Sequence, residues 1–97
     1  MTSKQRAFLK SKAMTMDAIF QVGKSEITPE LTASVADALT VRELIKISVL
    51  KNCMLDPKEV AQVISERTHS QVVQVIGRKI VLFKPAPKDT RYPIDKL

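Results

Sequence analysis

Short apolar stretches, rich in valine and isoleucine and bounded by turn-forming residues, predict four β-strands. They lie at residues 18–22, 44–50, 70–76 and 79–84. The dipeptide Gly77-Arg78 separates the last two, and glycine at its first position favours a two-residue hairpin of type II′.

Residues 45–49 of the second predicted strand alternate between apolar and polar side chains. Ile45, Ile47 and Val49 point one way, whereas Lys46 and Ser48 point the other. We therefore expect one face of the sheet to be packed and the other to be partly exposed to water.

Three segments have the composition and capping residues of helices. Residues 4–13 are mostly good helix formers, with Ser3 as the expected N-cap. Thr28 and Asp56 are each followed by proline, the residue that suits the first helical position, and each therefore predicts the start of a further helix.

These elements predict an α/β fold in the order helix, strand, helix, strand, helix, strand, strand. Strands joined through helices are usually parallel, and the final pair forms an antiparallel hairpin, so the sheet is four-stranded and mixed. Residues 1–85 are expected to form one domain. Residues 86–97 show neither helical nor strand periodicity and are expected to form a flexible C-terminal tail.

The charge of the 97-residue chain is uneven. The formal net charge is +6. Residues 1–24 and 78–97 are strongly basic, whereas residues 25–77 are mildly acidic. If the fold brings the two ends together, a basic face results, which is typical of a protein that binds a polyanion such as nucleic acid. The alternative is that the basic charge only maintains solubility.

The sequence contains no recognisable catalytic or metal-binding motif. The single cysteine, Cys53, cannot form an intramolecular disulfide and is expected to be a small buried residue. The single histidine, His69, has no patterned partner and is expected at the surface. We therefore expect no enzyme activity, no metal and no cofactor. The chain shows neither a signal peptide nor a membrane-spanning stretch, and we expect a cytoplasmic protein.

Three basic segments are candidate phosphate-binding sites. The loop containing Gly23, Lys24 and Ser25 joins a strand to a capped helix, where backbone N–H groups and a cation can meet a phosphate. The first helix contributes four cations without any acidic residue: Lys4, Arg6, Lys10 and Lys12. The hairpin contributes Arg78 and Lys79. The alternatives are a common strand–helix turn, a solvated helix face and charged protection of an edge strand, respectively.

Five motifs, in order along residues 2–85, resemble the bacterial YhbY family of stand-alone CRM-domain proteins. They are KQRAFLKS from Lys4, FQVGK from Phe20, RELIK from Arg42 with Val49-Leu50 and Asn52-Cys53, QVIG from Gln74, and IVLFK from Ile80. The resemblance implies a fold similar to the C-terminal domain of translation initiation factor three. It also implies RNA binding and association with precursors of the large ribosomal subunit.

The family's characteristic loop has the pattern Gly-x-x-Gly, which is similar to the backbone clamp of KH domains. Here Gly23 and Lys24 match the pattern, but Glu26 occupies the position of the second glycine. A residue with a side chain resists a positive φ, and a carboxylate repels phosphate. Either the loop binds RNA more weakly in this protein, or Glu26 turns away and caps nearby N–H groups.

The leading hypothesis is thus a monomeric, non-catalytic RNA-binding protein whose partner is rRNA of the precursor large subunit. Aromatic residues make up only 4% of the chain, so recognition of shape and backbone is expected rather than base stacking. The alternative is a basic protein-interaction module that docks an acidic partner protein.

Overall fold

The computed structural model describes all residues, 1–97, and confirms the predicted order of helices and strands. The helices are α1 (Ser3–Ala13), α2 (Pro29–Arg42) and α3 (Pro57–Thr68), and the strands are β1 (Phe20–Val22), β2 (Leu44–Val49), β3 (Gln71–Ile76) and β4 (Lys79–Phe83). A short 3₁₀ helix, η1, follows at Ile94–Lys96.

The helices begin at side-chain caps. Thr28 accepts a hydrogen bond from the Leu31 N–H and Asp56 accepts one from the Lys58 N–H, as predicted. The predicted cap of α1 was wrong by one residue. Thr2, and not Ser3, caps this helix, because Thr2 and Gln5 exchange hydrogen bonds between side chain and backbone in a capping box.

The sheet is mixed, with the strand order β1-β2-β4-β3. β1 and β2 are parallel, and β4 lies antiparallel between β2 and β3. Gly77 has a φ of +57°, whereas Arg78 does not have a positive φ, which is the combination expected for the type II′ turn. β1 and β3 form the two edges, and β3 contains an irregularity between Val72 and Gln74.

One face of the sheet packs under α2 and α3. The alternating residues Ile45, Ile47 and Val49 of β2 lie in this core, as predicted, together with residues from both helices. Cys53 is also buried here, which confirms its role as a small core residue. This aliphatic cluster is the larger of two cores.

The opposite face packs under α1 and the C-terminal segment. Leu9 and Ala13 of α1 contact a second cluster that includes Val81 and Phe83 of β4. Ile94 completes this cluster. The face that was expected to be partly exposed to water therefore has two parts. One is packed beneath α1, and the other, beyond the end of α1, is open.

The C-terminal segment, residues 86–97, for which a flexible tail is predicted, contacts the domain at several points. Tyr92 packs edge-on against Phe83, with ring centroids 5.9 Å apart, and Ile94 is buried. Gln5 donates from Nε2 to the Ile94 carbonyl oxygen over 2.9 Å. Individual side-chain contacts, rather than a long helix or a strand, attach this segment to the domain. Its sequence therefore shows no helical or strand periodicity.

A buried carboxylate at the end of α2 fixes this segment. Glu43 is only 3% exposed. One of its oxygens accepts hydrogen bonds from the Ala86 N–H and the Thr90 hydroxyl, and the other accepts one from the Arg91 N–H. Burial by itself raises the pKa of Glu43. The three hydrogen bonds and the positive charge of Arg91 lower it by more, so that the pKa lies below the ordinary value of 4.5.

Candidate nucleic-acid interface

One end of the sheet collects the two basic loops. The carboxyl ends of β1 and β2 and the start of β4 meet there, since Val22 pairs with Val49 and Lys79 pairs with Ser48. Arg78 donates from Nη1 to the carbonyl oxygen of Leu50 over 3.3 Å. The Gly23 loop and the hairpin thus lie on either side of the segment that follows β2.

The Gly23 loop is a tight turn closed by a hydrogen bond from the Glu26 N–H to the Gly23 carbonyl oxygen, 2.9 Å long. Its central residues, Lys24 and Ser25, are exposed. A Cβ on Gly23 would lie 3.3 Å from atoms of both Leu50 and Asn52. A side chain at this position would therefore crowd the ends of the Leu50 and Asn52 side chains, whereas the φ of Gly23 is not positive.

Lys79 lies on the open part of the sheet face. Its Nζ donates to the Ser48 hydroxyl over 3.0 Å, and an ammonium group keeps two further donors. Because β4 is an interior strand of the sheet, Lys79 does not protect an edge strand, and that alternative is wrong for this residue.

A groove of about 340 Å³ lies between the end of α1 and this open part of the sheet. Three lysines line it: Lys10 from α1, Lys46 from β2 and Lys79 from β4. Lys46 was missing from the candidate site residues derived from the sequence. The signal for it was present in the alternation of β2, which sets Lys46 on the face opposite the aliphatic core.

Arg6 has a structural role that the sequence did not reveal. Its Nη1 donates to the carbonyl oxygens of Val72 and Val73, each over 2.7 Å, at the irregularity of edge strand β3. The guanidinium group therefore satisfies backbone acceptors of the sheet edge. Arg6 also lines a groove of about 530 Å³ between α1 and α3, together with Lys10 and Lys58.

The two other lysines of α1 lie apart from the groove on the sheet face. Lys4 is exposed at the start of the helix, beside Gln5, which contacts the C-terminal segment. The Lys12 Nζ lies 5.4 Å from the centre of the Phe8 ring, in a cation–π arrangement. Of the four cations of the first helix, only Lys10 thus lies with Lys79.

The rest of the surface offers no assembled metal site. No group of three or more histidine, cysteine, aspartate and glutamate side chains comes together. His69 is exposed and ends α3 with a positive φ, as its predicted surface position allows. None of the three helices has the length and hydropathy needed to cross a lipid bilayer.

Comparison with known proteins identifies the architecture. The family model of the CRS1 / YhbY (CRM) domain matches residues 1–84. This chain belongs to the CRM domain family. The CRM domain is an RNA-binding domain, and its boundary in this chain falls just before the C-terminal segment that Glu43 holds in place.

Relatives of this CRM domain are named as RNA-binding proteins. The probable RNA-binding protein YqeI of Bacillus subtilis is 45% identical over 89 residues, which cover 92% of this chain and 93% of the relative. A probable RNA-binding protein of Methanocaldococcus jannaschii is 33% identical over 87 residues, covering 88% of this chain and 64% of the relative.

A solved structure shares the fold. A protein of Staphylococcus aureus, described as a candidate RNA-binding protein, has a solution structure that superimposes with a TM-score of 0.76 at 42% identity. The match covers 96% of this chain and 99% of that one. The predicted mixed four-stranded α/β fold is thereby confirmed.

The Gly23 loop has an unusual backbone conformation at Glu26. This residue has a φ of +58°, although a side chain was expected to resist a positive φ. The hydrogen bond to the Gly23 carbonyl oxygen and the packing of Ile27 against the larger core hold the backbone there. Glu26 therefore adopts the backbone conformation typical of glycine, although it carries a carboxylate side chain.

Proposed function

We propose that this CRM domain binds rRNA of immature large ribosomal subunits as a cytoplasmic, monomeric and non-catalytic assembly factor. The observation that carries the proposal is the concentration of cations at one end of the sheet. Lys10, Lys46 and Lys79 surround one groove there, and Lys24 and Arg78 extend from the adjoining loops.

These cations suit contact with the phosphate backbone. Each lysine that neutralises a phosphate releases counterions, so the affinity falls steeply as salt rises. Lys24 and Ser25 project from a turn that is closed by the hydrogen bond from Glu26 to Gly23. Both residues are therefore accessible to a phosphate.

Base stacking on aromatic rings makes little contribution to this mode of binding. Phe83 is fully buried, and Tyr92 packs against it. Neither Phe8 nor Phe20 lines the groove with the three lysines. Recognition consequently rests on phosphates, shape and hydrogen bonds rather than on stacking platforms.

The assignment to large-subunit precursors follows from the family resemblance, and ultraviolet crosslinking in growing cells tests it. The crosslinked RNA is sequenced and compared with that from a Lys24→Glu, Lys79→Glu variant. We expect enrichment of precursor large-subunit rRNA, lost in the variant. Crosslinks spread over unrelated RNAs would contradict the assignment, and capture of an acidic protein in place of RNA would favour a protein-interaction module.

A further inference from the structure

The groove beyond α1 has a regular floor. Val81 of β4 pairs with Lys46 on one side and Gln74 on the other. Adjacent strands are about 4.8 Å apart, so Lys46 and Gln74 are roughly 10 Å apart across the buried Val81. In the next row on the same face, Lys79 lies between Ser48 and Ile76.

The walls of the groove combine positive charge with exposed apolar surface. Met14, just after α1, is 78% exposed, and Ile76, at the end of β3, is 60% exposed. Both line the groove with the three lysines, and no carboxylate does. Such a lining fits a ligand that has an anionic part and a flat apolar part.

We infer that this groove binds an unpaired nucleotide of the RNA, a ligand class that goes beyond the proposed function and rests on it. The base lies against Met14 and Ile76, and the flanking phosphates contact Lys10, Lys46 and Lys79. Gln74 lines the same groove, and its side-chain amide has both a donor and an acceptor for a base edge.

The dimensions of the groove favour an unpaired nucleotide over a duplex. A volume of about 340 Å³ is near the lower limit for a small-molecule pocket. In an A-form duplex the base faces are stacked on one another, so they cannot contact Met14 and Ile76. A duplex can offer phosphates, 2′-hydroxyls and minor-groove base edges to the rim of the groove, but no base face along its length.

The groove is continuous with the larger groove, so a bound RNA strand can extend from one into the other. Lys10, Gln74 and Ile76 line both this groove and the larger one between α1 and α3. Lys58 of α3 supplies a cation at the far side of the larger groove. A single strand can thus pass from the sheet face over β3, with positively charged side chains at both ends of its path.

Binding measurements with defined RNAs test the inference. Fluorescence anisotropy compares the whole protein on a short single-stranded RNA and on the same sequence as a blunt duplex. We expect the single strand to bind at least about tenfold more tightly. Met14→Ala with Ile76→Ala should weaken single-strand binding about fivefold and leave duplex binding unchanged, since both side chains are exposed and the fold does not depend on them.

Two further variants separate the possible failures. Lys46→Gln should weaken binding of the single strand more than Lys88→Gln, a matched change of an exposed lysine in the C-terminal segment. Equal affinity for both RNAs, or no effect of the apolar double variant, would overturn the inference while the proposed function stands. If the protein binds neither RNA, the proposed function itself is contradicted.

Discussion

Arg6 on α1 is bound to Val73 on the sheet edge, with the guanidinium Nη1 2.7 Å from the carbonyl oxygen. The same nitrogen contacts the Val72 carbonyl oxygen. Arg6 therefore joins α1 to strand β3, although its place in a basic helix suggested a phosphate ligand. Its effect on RNA binding must be separated from its effect on folding.

We expect Arg6→Ala to lower the free energy of unfolding by about 2 kcal/mol, because two backbone acceptors lose a charged donor. Urea denaturation measures the change. Lys4→Ala is the matched control on the same helix, and it should change stability by less than about 0.5 kcal/mol because Lys4 is exposed. Equal stability of the two variants would contradict the structural role of Arg6.

Substitution of Glu26, the carboxylate in the Gly23 loop, should have two separable effects. Glu26→Gly should raise stability by about 0.5–1 kcal/mol, because glycine adopts a positive φ without steric cost. It should also tighten RNA binding at low salt by removing a negative charge near Lys24. Glu26→Gln changes the charge alone, so it should improve binding without the gain in stability. Thermal melts and anisotropy titrations of both variants measure these effects, and a loss of affinity in both would contradict the repulsion.

Glu43 predicts a loss of stability in acid. Its pKa is lower in the folded protein than the ordinary 4.5, so its contribution is complete above that value and is lost as the pH falls through the folded-state pKa. Glu43→Gln should lower stability at neutral pH by about 2 kcal/mol and should flatten the acid limb of the stability profile. Urea denaturation from neutral to acidic pH measures both; an unchanged acid limb would assign the dependence to other groups.

The basic surface predicts a salt-dependent loss of binding on charge reversal. Lys10→Glu with Lys24→Glu should weaken RNA binding at least about tenfold at moderate salt and reduce the salt slope by about two. Both side chains are exposed, so the circular dichroism spectrum and melting temperature should stay close to those of the wild type. Unchanged RNA affinity at moderate salt would remove these two lysines from the interface.

Local patterns were sufficient to predict the elements of this fold. The caps at Thr28 and Asp56 and the alternation in β2 depend on residues close together in the chain, and each is visible in the sequence. The strand order was less accessible, because placing β4 between β2 and β3 depends on packing across the whole domain.

Two of the unpredicted features depend on contacts between distant residues. The Glu43 carboxylate and Thr90 are 47 positions apart, and Arg6 and Val73 are 67 apart. No local periodicity records such pairs, so the C-terminal segment was expected to be flexible and Arg6 to be free. Lys46 was overlooked because a single lysine within an apolar strand becomes part of a cluster only when α1 and β4 are in place.

Sedimentation of the tagged protein in cell lysate is the measurement that tests the central claim most directly. On a low-salt sucrose gradient the protein should migrate with precursors of the large ribosomal subunit, and the Lys10→Glu, Lys24→Glu variant should not. Ribonuclease or high salt should release the wild-type protein to the top of the gradient. Wild-type protein that stays at the top under every condition would contradict stable association with these particles.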